Sequence, residues 1–570
     1  MKKIRSLFVL ILAATLMTGC SGLNKMKKNS NLVKYDVTPK VLETHGGTVT
    51  ITITGSFPDR YFNKKATLTA TPVLKYAGGE IAFDKVQVVQ GEKVQANNKV
   101  INYSGGNFTY TSTIPYTDDL KMSELFLNIR GEKGAKIVDF DPIKLADGVI
   151  ATSTLVEKYG RPIILKDRFQ RIIPETGVAA IPYIINRSDL QSSTLKAEDI
   201  ANLRTYINDV NADPDRQFKT TVVSSYASPD GAISLNERLS TSRGKTAGNF
   251  IRKEFAKIED ANAASFFDEK TTAEDWDGFR TELEKSSLSD KDLILRVLSM
   301  YSDPDVRERE IKNMSAAYES LKTDVLPKLR RSQMVVNVDK IGRSDEQILE
   351  AMRGNSSVLD VEEMLYSATL TNDLNEQLKF YQTAVSAFPR DIRTQNNVGC
   401  ALLNLGQADN AIAAFERAKA IENNDVVKNN LGMGSLVRGG IVTAEEYFTS
   451  MTAATPESRW GLGVIAMTKG EYDKAVNSFG SEPSVNHALA LMLKGDNSRA
   501  KTMLDGIQES FQGKRDYLKA VAGARLDDRT YMLNGLRGAI SADSKWKAYA
   551  KTDLEFAKYF NDDTFKSTVQ

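Results

Sequence analysis

The chain has 570 residues, of which 41% are hydrophobic and 26% charged, so it is long enough for three or four folded domains and is not a disordered chain. Lys and Arg number 75 against 73 Asp and Glu, a net charge of +2, which excludes the basic excess typical of nucleic-acid-binding proteins. Only two histidines and two cysteines occur, and they lie far apart in sequence, which argues against a His-based triad and leaves almost no material for a His/Cys metal cluster. We therefore predict no enzyme activity, no cofactor and no metal, although chemistry based on carboxylates alone stays open.

Residues 1–19 predict a signal peptide, because a basic start is followed by an apolar run too short to span a bilayer. The run ends in Met17-Thr18-Gly19-Cys20, which resembles the lipobox of bacterial lipoproteins. That resemblance implies cleavage before Cys20 and acylation of Cys20, which would anchor the chain stably to a membrane. The alternative is an ordinary secretory leader with an unrelated cysteine.

Residues 20–31 are predicted to form the lipidated cysteine and a polar tether. By resemblance to sorted lipoproteins, Ser21 implies the outer membrane. The basic residues 25–28, where surface-exposed lipoproteins of some lineages carry acidic ones, favour the periplasmic face. With Cys20 acylated, Cys400 is single, so we expect no intramolecular disulfide.

Residues 32–150 predict an all-β sandwich. Val49, Ile51 and Ile53 alternate with threonines, and the segments 108–114 and 125–129 give two further strands. Glycines separate these strands at spacings that suit antiparallel turns. This region shows no catalytic pattern, so we interpret it as a spacer or docking module.

From about residue 165 the pattern changes to α+β. A strand around 178–185 precedes a helix near 196–210, and a strand at 220–226 precedes a loop at 227–234 and a second helix. This βαβα order predicts a mixed sheet with helices packed on it.

The second of these helices carries a long pattern of fixed spacing, and Tyr226 lies ten residues before its first residue: Asn236-x-x-Leu239-Ser240-x-x-Arg243-Gly244-x-x-Ala247-x-x-x-Ile251. The pattern resembles the OmpA-like peptidoglycan-binding domains. The resemblance implies an OmpA-like domain over 165–345, whose last strand lies at 331–338 and whose helical insertion covers about 255–330.

The resemblance also implies a ligand site. Arg243 matches the family arginine, whose planar fork suits a bidentate grip on a carboxylate of peptidoglycan. The family aspartate that binds the ammonium of diaminopimelate is Ser228 here, and Asp230 on the same loop is a candidate replacement. With Asn236 these are the candidate peptidoglycan-binding residues. The alternative is that Arg243 pairs with a local acid and the fold serves as a scaffold.

The C-terminal third contains internal repeats. Gly399, Gly406, Ala411, Phe415 and Ala418 have the spacing of a tetratricopeptide repeat, and the pattern recurs after 33 and then 31 residues. We predict an all-α solenoid of tetratricopeptide repeats over 360–510 and a helical cap over 511–570. Such units stack into a superhelix whose concave surface binds proteins. Cys400 lies within a repeat helix, where a thiol is typically a small core residue.

Together these segments predict a multidomain, non-enzymatic outer-membrane lipoprotein that tethers the envelope to peptidoglycan and scaffolds an envelope protein through its repeats. The alternative is a docking subunit of an outer-membrane secretion, fimbrial or assembly complex that does not bind peptidoglycan. Ser228 favours the docking subunit, whereas the helix pattern and Arg243 favour the tether. A cell-wall hydrolase has little support in the sequence.

Overall fold

The computed structural model describes residues 21–84 and 86–570, so the predicted signal peptide and Cys20 lie outside the described residues. The chain divides into two units. One unit, here called the sandwich–solenoid unit, combines the chain up to Leu165 with Asp373–Gln570. The other, the central unit, is Lys166–Asn372.

The N-terminal strands form two mainly antiparallel sheets around one apolar core, as expected for a sandwich. The first sheet has the order β1-β3-β2-β12 with β8 on β3, and the second has the order β10-β9-β4-β6-β7 with β11 on β9 and β5 on β4. Val49, Ile51 and Ile53 are fully buried, which explains their alternation with exposed threonines. The strands are β1 Lys34–Thr38, β2 Leu42–His45, β3 Thr48–Phe57, β4 Thr67–Tyr76, β5 Gly79–Ala82, β6 Gln87–Gly91, β7 Lys99–Ile101, β8 Gly106–Pro115, β9 Glu124–Lys133, β10 Lys136–Asp139, β11 Ile143–Asp147 and β12 Val149–Ile150.

The polar segment after Cys20 is a helix, α1 Ser21–Lys28, and the prediction of a tether is wrong for these residues. Leu23 and Met26 lie three residues apart on one helical face and are only 1% and 2% exposed in the sandwich core. The Tyr61 hydroxyl donates to the Met26 carbonyl at 2.9 Å, and Lys27 Nζ donates to the Asp139 carbonyl at 2.9 Å. Two buried apolar side chains and these two hydrogen bonds therefore hold the helix on the sandwich.

The central unit is a four-stranded sheet of order β13-β16-β14-β15 with helices packed on it. Its β13, β16 and β14 pair antiparallel, whereas β15 runs parallel to β14. The strand predicted at 331–338 is β16, which pairs with both β13 and β14. The elements of this sheet are β13 Ile172–Pro182, α2 Glu198–Ala212, β14 Arg216–Tyr226, α3 Ile233–Glu254, β15 Phe267–Thr272 and β16 Arg331–Ile341.

The predicted insertion at 255–330 is not wholly helical, because it supplies β15. Most of β15 is polar and exposed at the sheet edge, so no apolar alternation marks it in the sequence. The helices of the insertion enclose a small core of their own, which includes Phe279, Ile294 and Leu321. The remaining helices of the central unit are α4 Trp276–Lys285, α5 Lys291–Met300, α6 Pro304–Asn313, α7 Ser315–Asp324, α8 Leu326–Leu329, α9 Asp345–Arg353 and α10 Val361–Ser367.

Antiparallel helix pairs form the C-terminal solenoid. A Cβ atom on Gly399 would lie 2.3 Å from the Phe415 ring, and Gly432 and Gly463 face Phe448 and Phe479 in the same way in the next two repeats. The small residue therefore lets the two helices of a repeat cross closely, as the spacing predicts. The helices are α11 Leu374–Ala387, α12 Ile392–Asn404, α13 Ala408–Ile421, α14 Asp425–Arg438, α15 Ile441–Thr449, α16 Pro456–Thr468, α17 Tyr472–Phe479, α18 Val485–Leu493, α19 Asn497–Gly506, α20 Lys514–Arg525, α21 Arg529–Ala542, α22 Lys545–Thr552 and α23 Asp563–Val569.

Within residues 21–84 and 86–570, every helix is too short or too polar to cross a membrane.

Candidate functional site

The loop between β14 and α3 holds Ser228 and Asp230, two of the residues predicted to bind peptidoglycan. Asp230 Oδ2 lies 3.0 Å from Arg330 Nη2, and the two side chains are 12% and 10% exposed. Ser228 Oγ donates to Asp230 Oδ1 and accepts from Arg330 Nε at 3.1 Å. Both carboxylate oxygens of Asp230 therefore already have a partner within the protein.

Arg243 and Asn236, the other two candidates, are buried on α3. The guanidinium of Arg243, whose residue is 1% exposed, donates to the carbonyls of Arg187 at 3.0 Å and Tyr226 at 2.9 Å. Burial lowers the pKa of Arg243 to about 10. Asn236 Nδ2 donates to the Gly231 carbonyl at 3.0 Å and so closes the loop. A role of these four residues in peptidoglycan binding stays a prediction.

Arg330, which neutralises Asp230, belongs to none of the sequence patterns described above. Arg330 directly precedes β16, and β16 pairs with β14, whose end leads into the loop. A basic residue at the start of one strand and an acidic residue after the end of its antiparallel neighbour meet at the same sheet edge. The two charged residues are visible in the sequence, but their pairing can be predicted only once the register of the two strands is known.

A second site lies on the solenoid, where residues 156–165 run past the first helices of the repeats. We call these residues the linker segment. Three buried asparagines of these helices each bind both backbone groups of one linker residue. Their side chains accept from the backbone N–H and donate to the carbonyl of the same residue: Asn397 with Leu165 at 3.0 and 2.9 Å, Asn430 with Ile163 at 2.7 and 2.8 Å, and Asn486 with Glu157 at 2.8 and 2.7 Å. We call these three residues the asparagine row.

The Ile163 carbonyl receives further donors from the first complete repeat. Asn396 Nδ2 donates to it at 3.0 Å, and the Cys400 thiol lies 3.4 Å from it. Burial raises the pKa of the Cys400 thiol, so the thiol stays protonated. Cys400 is thus a buried neutral donor that helps to hold the linker segment.

In the third repeat an aromatic contact replaces the asparagine. The Tyr159 ring lies 4.7 Å from the Trp460 ring, and the Arg161 guanidinium lies 4.7 Å from the same ring. Arg161 also pairs with Glu482 at 2.5 Å. The linker segment is therefore held by its main chain at the first, second and fourth repeats and by two side chains at the third.

The bound residues of the linker segment are all odd-numbered, as the geometry of an extended chain requires. In such a chain the N–H and C=O groups of alternate residues point to the same side. Pro162, which has no N–H, lies between the bound residues Arg161 and Ile163. Proline is tolerated there because the asparagines do not use the N–H of that position.

The asparagine row is not part of the repeat pattern of small and aromatic residues, yet it has a regular spacing of its own. Each asparagine stands nine residues before the positive-φ glycine that follows its helix, and that position is buried in every case. A polar residue that recurs at one buried position of a repeat indicates a shared hydrogen-bonding task. The asparagine–glycine pairs are Asn397 with Gly406, Asn430 with Gly439 and Asn486 with Gly495.

Comparison with known proteins supports the repeats. The sequence model of the tetratricopeptide repeat matches residues 392–425. A tetratricopeptide repeat protein from Parabacteroides merdae is 16% identical, with a TM-score of 0.30, over 37% of this chain and 91% of that one. PilW, a type IV pilus biogenesis factor, is 16% identical with a TM-score of 0.23 over 40% of this chain and 89% of that one. YrrB, described as having an unusual peptide-binding site, is 19% identical with a TM-score of 0.21 over 36% and 99%.

No curated protein sequence matches the chain. At TM-scores below 0.5, the likenesses to solved structures carry no argument about function. The family match confirms the prediction of tetratricopeptide repeats, which are protein–protein interaction modules, in a multidomain chain with a strand-rich N-terminal region.

Proposed function

We propose that this chain is a non-enzymatic scaffold of the bacterial cell envelope, anchored to the periplasmic face of the outer membrane through an acylated Cys20. Its repeats serve contacts with other envelope proteins. Its central OmpA-like unit is a docking module of an assembly, secretion or fimbrial complex and does not hold peptidoglycan. The observation that carries the docking role is the ion pair between Asp230 and Arg330.

A peptidoglycan stem would need a free carboxylate for its ammonium group and a free guanidinium for its carboxylate. Asp230 is paired with Arg330 at about one-tenth exposure, and Arg243 is engaged with backbone carbonyls. Separating a buried pair by removing one partner costs about 3–5 kcal/mol, so a ligand that competes for Asp230 pays a similar penalty. The pairing therefore favours the docking module.

A peptidoglycan tether is the second candidate. The burial of the family pattern on α3 favours it, because Ser240, Arg243, Gly244 and Ala247 all face the unit's interior. Those residues support the fold of an OmpA-like domain, and they supply the arginine that the family uses.

Sedimentation with purified sacculi separates the two candidates. The mature chain is expected to stay in the supernatant, because the charges of its loop are already neutralised, while an OmpA-like domain known to bind sacculi pellets in the same buffer. If the chain pellets and Asp230→Asn abolishes the pelleting, the docking proposal is wrong and the tether replaces it.

Replacing Cys20 by alanine is expected to move the protein from the outer-membrane fraction to the soluble periplasmic fraction. The lipobox resemblance gives the reason, since acyl chains on Cys20 would supply the anchor. Cys400→Ala is the matched control and is expected to remain in the membrane fraction. Immunoblots of the separated fractions measure the distribution. A Cys20→Ala protein that still sediments with outer membranes to the wild-type extent contradicts the proposed anchor.

A further inference from the structure

We propose that the asparagine row is a binding site for extended peptides, and that the linker segment is its resident ligand, which keeps the site closed until another peptide displaces it. This inference rests on the proposed role of the repeats in protein contacts and deepens it. It names the surface used and the chemical class of the partner, an extended polypeptide segment bound by its main chain.

The contacts show what such a ligand must offer. Asn397, Asn430 and Asn486 bind backbone N–H and C=O groups, which every residue except proline presents in the same way. Trp460 adds side-chain selection, because it packs against an aromatic residue and a basic residue two positions later. Glu482 pairs with that basic residue, and Lys514 pairs with Glu157. Gly160 lies between the aromatic and basic residues, and a Cβ atom there would lie 2.6 Å from the Leu403 side chain. The site therefore suits segments with an aromatic-Gly-basic pattern and no proline at the bound positions.

The chemistry of the row also suits a ligand that can leave. The amides that contact the linker segment are at most 2% exposed while it is bound. Amide groups are well solvated by water when a ligand departs, whereas an apolar groove would expose hydrophobic surface.

Covalent connection explains why the site is closed in the chain on its own. A tethered segment has an effective concentration in the millimolar range, so a free peptide of equal intrinsic affinity competes poorly at micromolar concentration. A partner must either bind more tightly or act when the linker segment is weakened.

The test uses the full mature chain and a fluorescent synthetic peptide with the sequence of residues 155–166. Ile163→Pro removes the N–H that Asn430 accepts and so weakens the resident ligand. Ile164→Pro is the matched control, since Ile164 is 44% exposed and the asparagines do not bind its N–H. In fluorescence anisotropy, Ile163→Pro is expected to bind the peptide at least tenfold more tightly than the wild type or Ile164→Pro. Adding Asn430→Leu to Ile163→Pro should abolish that gain.

Hydrogen exchange on the wild type provides a second readout that needs no variant. Millimolar unlabelled peptide is expected to accelerate exchange of the N–H groups of Glu157, Ile163 and Leu165, because the displaced segment becomes solvated. Unchanged exchange at these positions overturns the proposal, as does a folded Ile163→Pro protein that does not bind the peptide, or equal binding by Ile164→Pro. Neither measurement uses sacculi or the lipid anchor, so failure here is distinguishable from failure of the proposed function.

Discussion

Replacing Asn430 by leucine is expected to lower the free energy of unfolding of the sandwich–solenoid unit by about 2–4 kcal/mol. Asn430 is fully buried, and its amide binds the Ile163 N–H at 2.7 Å and the Ile163 carbonyl at 2.8 Å. It also donates to Asn396 Oδ1 at 2.8 Å. Leucine has the same number and branching of side-chain heavy atoms as asparagine, so the loss mainly reports the buried polar groups left without this partner.

Asn410→Leu is the control for this change. Asn410 is exposed on α13, the second helix of the preceding repeat, and bonds only locally, to Gln407 at 3.0 Å. Its replacement is expected to change stability by no more than about 0.5 kcal/mol. Urea denaturation followed by circular dichroism measures both variants. Equal midpoints for Asn430→Leu and the wild type would show that the linker segment contributes little to the stability of the unit.

Gly535→Ala, which adds a single methyl group, is expected to destabilise the cap of the solenoid by about 2–4 kcal/mol. A Cβ atom on Gly535 would lie 2.6 Å from the backbone nitrogen of Ala520 and 2.7 Å from the Asp516 carbonyl oxygen. Gly523 on α20 faces the Met532 backbone equally closely. Because α20 and α21 touch backbone to backbone, neither can yield by rotating a side chain.

The sign of the Gly535→Ala effect opposes helix propensity, since alanine favours a helix over glycine by about 1 kcal/mol. Gly506→Ala is therefore a sharp control: Gly506 ends α19 with open space around its Cβ direction. That variant is expected to be neutral or up to about 1 kcal/mol more stable. Thermal unfolding of both proteins checks the pair, and a stabilised Gly535→Ala would contradict the close helix crossing.

Local sequence patterns predicted much of the fold because they depend only on residues that are close together in the chain. The alternation around Ile51 reflects one buried face of β3, and the spacing of Gly399 and Phe415 reflects the crossing of two consecutive helices. The tetratricopeptide repeats, which depend on such local spacing, are confirmed by the family match. The helical face of Leu23 and Met26 is equally local, but the polar residues around these two side chains hide it in the sequence.

Features that depend on distant partners were not accessible in this way. The linker segment has no apolar period of its own, and its conformation is set by asparagines more than 200 positions later in the chain. The pairing of Asp230 with Arg330 similarly joins residues 100 positions apart. Such contacts require the tertiary arrangement, so the sequence indicated the candidate residues of the loop without their partners.

The docking of α1 has a mechanical consequence for the proposed anchor. Cys20 directly precedes Ser21, where α1 begins, and a single residue spans at most about 3.6 Å. A chain held by lipid at Cys20 would therefore have no slack between the bilayer and the β-sandwich. Tension between the membrane and a partner on the repeats would pass through Leu23 and Met26 into the sandwich core. The protein would therefore form a short, rigid connection between the two, in place of a flexible tether.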